Sequence, residues 1–168
     1  SLGLGVYSHP ELSWDATKLL FCFKGEPTGS TSIYEIGVDG QGLRRGTDPT
    51  PTCGCYKGSN GGQHDIAPAY LPDGQLTWVL ARRDRKDPDQ VLRQAATGGL
   101  PAALVTSELS LTDVAFSRDG SRVAWIASRP LERNRNLLEF TFQWRSLTSG
   151  AETSVRLLPG ERITSPAF

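Results

Sequence analysis

The sequence predicts an all-β chain, a β-propeller of four-stranded antiparallel blades. A strand–turn–strand phrase recurs along it, and each copy is followed by two further strand-and-turn units. No segment carries apolar residues at the i, i+3, i+4, i+7 spacing of a capped helix. Four-stranded units repeating at roughly 40 to 50 residues are the pattern of propeller blades. Composition agrees, because Gly 18 and Pro 11 in 168 residues exceed the usual share of about 12% and suit a turn-rich chain.

The first blade is expected over about 7–48. Its opening phrase runs from His9 to Phe23 around Asp15, a third strand covers Ser32–Ile36, and a fourth covers Leu43–Arg45. The second blade, about 63–107, repeats the phrase from Ala67 to Leu80 around Asp73-Gly74, then adds Gln90–Gln94 and Ala102–Val105. The third, about 110–160, runs from Asp113 to Ile126 around Asp119-Gly120, then Leu138–Phe142 and Val155–Leu158. Ser165-Pro166-Ala167-Phe168 reads as the start of a next blade over 163–168. Asp-Gly between apolar runs is a strong hairpin signal, since Gly accepts positive φ and Asp bonds back to the turn backbone. Ala16 stands where the other two phrases have Gly, so the first turn is either of another type or strained.

The phrases "PAYLPDGQLTWV", "VAFSRDGSRVAWIASRP" and "SPAF" resemble the TolB-like propeller repeat, P-x-F-S-P-D-G-x-x-I-A-F. "SIYEIGVDGQGLRRGTD" is similar to its second half. The likeness runs from about Tyr7 to Phe168. It implies a six-bladed ring of which this sequence supplies an incomplete part, with the remaining blades in the same gene or in another chain. It also implies a docking role and a periplasmic or extracellular bacterial location. An open half-ring exposes two blade faces that a closed ring buries.

Charge and composition narrow the function. Lys+Arg 18 balance Asp+Glu 18, which removes the attraction to phosphate that nucleic-acid binding leans on, so no nucleic acid is expected. No run approaches the ~18 apolar residues of a membrane span. Three cysteines, Cys22, Cys53 and Cys55, are too few for a disulfide scaffold, and Cys22 reads as a small buried hydrophobe. With no Met and no leader-like start, the chain reads as a piece of something longer. No catalytic motif or cofactor fingerprint is present: Lys57-Gly58-Ser59-Asn60-Gly61 lacks the first Gly of a nucleophile elbow, and Gly40-Gln41-Gly42 lacks a following helix.

The candidate sites are therefore loops and strand ends. His9, His64, Asp65 and Asp113 precede the inner strands and are expected at the central channel, where polar groups bind a ligand or simply cap strand ends. Arg82, Arg83, Arg85, Lys86, Arg129, Arg133 and Arg135 fall in the second-to-third-strand loops, a basic face suited to an acidic partner or to solvation alone. Cys53 and Cys55 sit at the centre of the longest excursion, Gly46 to Gln63, with His64 at its exit; C-x-C with one His makes a poor metal set and shows no fourth ligand. The reading is a non-catalytic binding or scaffold module for protein–protein interaction. The alternatives are the substrate-gating propeller of a larger prolyl-oligopeptidase-like serine hydrolase, and a carbohydrate- or metal-binding propeller.

Overall fold

Continuous burial along the second strand of each unit decides the architecture. In Leu76-Thr77-Trp78-Val79-Leu80 every residue is buried, so this strand must be covered on both faces. The computed structural model describes residues 2–27, 29–47, 63–82, 88–132 and 134–157. Among these residues are three four-stranded antiparallel sheets, each a meander. Blade 1 is β1 (Val6–Leu12), β2 (Lys18–Lys24), β3 (Ser32–Gly37) and β4 (Arg44–Arg45). Blade 2 is β5 (Gln63–Tyr70), β6 (Leu76–Arg82), β7 (Asp89–Gln94) and β8 (Ala102–Ser107). Blade 3 is β9 (Ser110–Phe116), β10 (Arg122–Leu131), β11 (Asn134–Ser146) and β12 (Glu152–Arg156). The expected next blade at 163–168 lies outside the described residues. No helix among those described is long and apolar enough to cross a membrane.

The blades stack through two apolar seams. At the first, Leu20, Cys22 and Ile33 of blade 1 meet Tyr70, Leu76, Trp78, Leu80 and Leu92 of blade 2. At the second, Val79, Val91 and Val105 of blade 2 meet Leu111, Val114, Val123 and Trp125 of blade 3. Polar ties accompany both. Trp14 donates its indole N–H to the Tyr70 carbonyl at 3.2 Å, and the Leu111 amide donates to Asp89 Oδ2 at 2.9 Å. Arg145 lies over the Trp125 ring at 5.9 Å and donates to the Leu104 carbonyl at 3.0 Å.

The turns correct the sequence alignment. In blades 1 and 3 the amides of Ser13 and Ser117 bond the carbonyls of Lys18 and Arg122, whereas in blade 2 Leu71 bonds Gln75, so its turn is one residue shorter. Phase therefore runs from the strand before the turn, not from the Asp. Leu12 pairs Leu19, Tyr70 pairs Leu76 and Phe116 pairs Val123. Phe21, Trp78 and Trp125 are then equivalent, and so are Cys22, Val79 and Ile126. Ala16 keeps the turn of its neighbours at a cost. Its φ is +57°, beside +79° at Gly74 and +69° at Gly120, so the strained alternative holds. Asp15 accepts from the hydroxyls of Ser13 and Thr17, and Asp119 from those of Ser117 and Ser121. These bonds hold both carboxyls down at about 2.

Blade 3 departs from the expected strand lengths. Its third strand runs thirteen residues rather than the five of Leu138–Phe142, and β10 runs ten. β9 ends its pairing at Ser128 and β12 reaches only Thr141, so the β10–β11 hairpin projects past its own sheet.

Candidate functional site

The inner strands β1, β5 and β9 all carry pairing irregularities, and these shape the channel side of the molecule. The register shifts between Ser8 and Glu11 in β1, between Ile66 and Ala69 in β5, and opposite Ile126 and Ala127 in β9. In the first two the extra residues are His9-Pro10 and Ala67-Pro68. Proline has no N–H to give to a ladder, and the residue ahead of it turns into the left-handed region, with φ +51° at His9 and +48° at Ala67. Such backbone is sparse outside glycine and tends to gather at binding sites.

These segments line a cleft of about 390 Å³ between the three inner strands, together with Glu11, Trp14, Tyr70, Asp113 and Phe116. Partial burial raises the Glu11 carboxyl above its ordinary range. His9 Nδ1 lies 3.1 Å from Ser8 Oγ, and Asp113 accepts from the Val114 amide at 2.9 Å. The cleft thus offers an imidazole, two carboxylates and an indole.

The four channel candidates divide. They lie within β1, β5 and β9 rather than ahead of them, because the irregularities let the strands begin earlier. His9 and Asp113 share the cleft. His64 and Asp65 sit instead on the seam with blade 1. His64 Nδ1 lies 2.9 Å from Thr31 Oγ1, and the Asp65 amide donates to the Thr31 carbonyl at 3.1 Å. The blade 2 counterpart of His9 is Ala67, three residues beyond His64, so the two histidines are not equivalent. Glu11 and Trp14 were not singled out by sequence. Trp14 was legible only as the residue preceding the turn aspartate, where blades 2 and 3 have Pro72 and Arg118.

A second pocket of about 240 Å³ lies between blades 1 and 2, bordered by Trp14, Lys18, Glu35, Tyr70 and Pro72. Glu35 is buried in its wall. Arg44 Nε donates to its Oε1 at 2.8 Å, Lys18 Nζ approaches to 3.3 Å, and the Tyr70 hydroxyl donates to Oε2 at 3.0 Å. Burial alone would raise this carboxyl, but the bonds from Arg44, Tyr70 and Lys18 outweigh it and hold it below the usual range. Burial beside that carboxylate pushes the Tyr70 phenol well up. These groups satisfy one another, which makes the pocket wall a structural clamp.

On the loop face, Arg83, Arg85, Lys86 and Arg133 lie outside the described residues, as do the side chains of Arg82 and Arg135. Arg129 is described, and it serves a carboxylate of its own blade. Glu139, 8% exposed, takes Arg129 Nη2 at 3.4 Å and a bidentate grip from Arg156, with Nε at 2.8 Å and Nη2 at 2.9 Å. The pair pins the base of the projecting hairpin. Cys53 and Cys55 fall outside the described residues. Cys22 is a free thiol buried in the first seam, and burial pushes its pKa up to about 12. Among the described residues no three His, Cys, Asp or Glu side chains gather to hold a metal.

No protein-family model matches the sequence, and no curated protein matches it. Solved structures do. A TolB from Agrobacterium tumefaciens superposes with TM-score 0.67 at 16% identity, over 97% of this chain and 53% of its own. The likeness is one of fold. An acylaminoacyl peptidase from Pyrococcus horikoshii gives 0.62 at 10% identity, over 91% of this chain and 26% of its own. A nidogen/laminin complex gives 0.54 at 12%, over 92% of this chain and 61% of its own. The chain has the β-propeller fold of these neighbours and spans about half the length of the TolB it matches.

Proposed function

We propose that this chain is a non-catalytic propeller module that binds another protein through its long-loop face, as part of a larger periplasmic or extracellular assembly. The observation that supports this is the β10–β11 hairpin. Beyond Ser128 and Phe140 it carries Pro130, Leu131, Leu137 and Leu138, and Leu137 is 53% exposed. An isolated two-stranded ribbon is marginal in water, yet the grip of Arg129 and Arg156 on Glu139 anchors this one at its base. A rigid support under exposed apolar residues is the usual build of a recognition element. Affinity capture from the source cell tests it. A protein retained by the native chain and lost with Leu137→Asp is the expected result, and equal retention by both sinks the reading.

A second reading follows from the cleft, whose His9, Glu11, Asp113 and Trp14 suit a hydroxyl-rich ligand such as a sugar. Calorimetric titration of short oligosaccharides into native and His9→Ala protein decides it. No heat from the native protein removes this reading.

A further inference from the structure

We propose that the pocket at the first seam is a saccharide subsite, holding one ring of a neutral oligosaccharide whose next ring lies in the channel cleft. The inference rests on the sugar reading of that cleft, and it adds a second position and the groups that serve it.

The two seams differ at their turns, and the difference opens the pocket. At the second seam Pro72 of blade 2 closes on Gly120 of blade 3, so near that a Cβ added to Gly120 would lie 3.4 Å from the proline ring. The equivalent pair at the first seam is Trp14 of blade 1 and Gly74 of blade 2. A Cβ added to Gly74 would meet nothing within 4 Å, and both residues border the pocket of about 240 Å³. Trp14 is larger than Pro72, yet it does not shut the gap, because its indole N–H is drawn to the Tyr70 carbonyl at 3.2 Å. That bond fixes the ring and leaves the residue 57% exposed. The 240 Å³ is below the roughly 300 Å³ at which drug-sized sites begin, so the pocket suits a single ring rather than a whole ligand.

Donors and acceptors around the indole suit hydroxyl groups. Lys18 Nζ binds Glu35, and its half-exposed side chain keeps spare donors. Asp15 accepts three bonds from Ser13 and Thr17, all on Oδ1, and Oδ2 has no partner among the described residues. A sugar hydroxyl both donates and accepts, so neighbouring hydroxyls can use Lys18 and Asp15 together while the C–H face of a pyranose covers the indole. Charge selects against an ionised ligand. Lys18 and Arg44 offset Asp15 and Glu35, which leaves no net sign at the pocket. A peptide proline or aromatic ring would cover Trp14 but make no use of the lysine and the aspartate.

Trp14 and Tyr70 border the cleft as well as the pocket. Linked pyranoses passing over Trp14 therefore reach Asp15 and Lys18 on one side and His9, Glu11 and Asp113 on the other.

Titration of cello-, malto- and chito-oligosaccharides, from monomer to tetramer, tests this by calorimetry and by the indole N–H signals in NMR. Affinity should rise from monomer to trimer in at least one series, with the Trp14 signal moving and the other tryptophan signals still. Ala96→Leu fills the pocket from its blade 2 side, and Asp15→Asn keeps the turn acceptor while replacing the spare oxygen. Each should weaken the trimer at least ~tenfold with thermal melting unchanged. Binding that is lost with His9→Ala but indifferent to both pocket variants overturns the subsite and leaves the cleft reading standing. Binding lost with the pocket variants but indifferent to His9→Ala overturns the joined site by removing the cleft. No binding in any series overturns both.

Discussion

Tyr70 of blade 2 donates its hydroxyl to Glu35 of blade 1 at 3.0 Å, so the first seam is closed by a hydrogen bond onto a buried carboxylate. Arg44 and Lys18 complete the set from blade 1 itself. Removing the phenol leaves an acceptor short of one donor, and Tyr70→Phe is expected to cost about 1–2 kcal/mol in urea denaturation. The same carboxylate sets an acid limit. Its pKa is depressed in the fold, so its contribution is whole above the unfolded value of roughly 4.3 and disappears as pH falls through the lower folded value. Glu35→Gln should be less stable than native at neutral pH, with the two denaturation midpoints converging in acid. A constant gap down the pH series would refute the assignment.

Ala16 is the one turn residue of its kind that pays for a side chain. At φ +57° it stands where Gly74 and Gly120 stand in the other blades. Ala16→Gly should raise stability by about 1 kcal/mol, the scale of left-handed backbone strain in a non-glycine residue. A loss of stability on thermal melting would show that the turn is not strained.

The turn aspartates titrate low because their acceptor oxygens are already engaged. Asp119 is held at about 2 by the hydroxyl of Ser117 first, then by the amide and hydroxyl of Ser121. Carbon-detected NMR of the carboxyl should place its midpoint near that value. In Ser117→Ala it should move up toward the ordinary aspartate range of about 3.9. An unmoved midpoint would mean that the Ser117 hydroxyl is not the principal cause.

Cys22 lies wholly buried between Ile33 and the blade 2 residues of the seam. With burial holding the thiol at about 12, almost none is thiolate at neutral pH. In a Cys53→Ser/Cys55→Ser background, alkylation followed by mass spectrometry should show no label until denaturant opens the seam. Prompt labelling of the folded chain would contradict the seam.

The sequence was legible where local chemistry and tertiary need coincide. Asp73-Gly74 and Asp119-Gly120 mark hairpins because the turn demands those residues, and the apolar runs after them became β6 and β10. Phase was less legible. Aligning on the aspartates puts Trp78 out of step with Trp125, since the missing residue in the blade 2 turn leaves no trace in the dipeptide itself. The channel was harder still. His9 and His64 look alike as lone histidines near strand starts, yet only the irregularity at His9-Pro10 turns the chain toward the cleft. That irregularity depends on pairing with β2, which no local pattern records. The length of β11 was hidden because Arg135 and Asn136 interrupt the apolar alternation that identified its middle.

The larger side chain at each seam always belongs to the later blade, and this gives the stack a direction. At both joins an indole of the later blade, Trp78 or Trp125, meets a shallower surface of the earlier one, Leu20 and Cys22 or Val79 and Val91. A blade set in backwards would meet like with like, ring against ring on one side and a void on the other. The polarity of the chain is thereby written into its packing as well as its backbone.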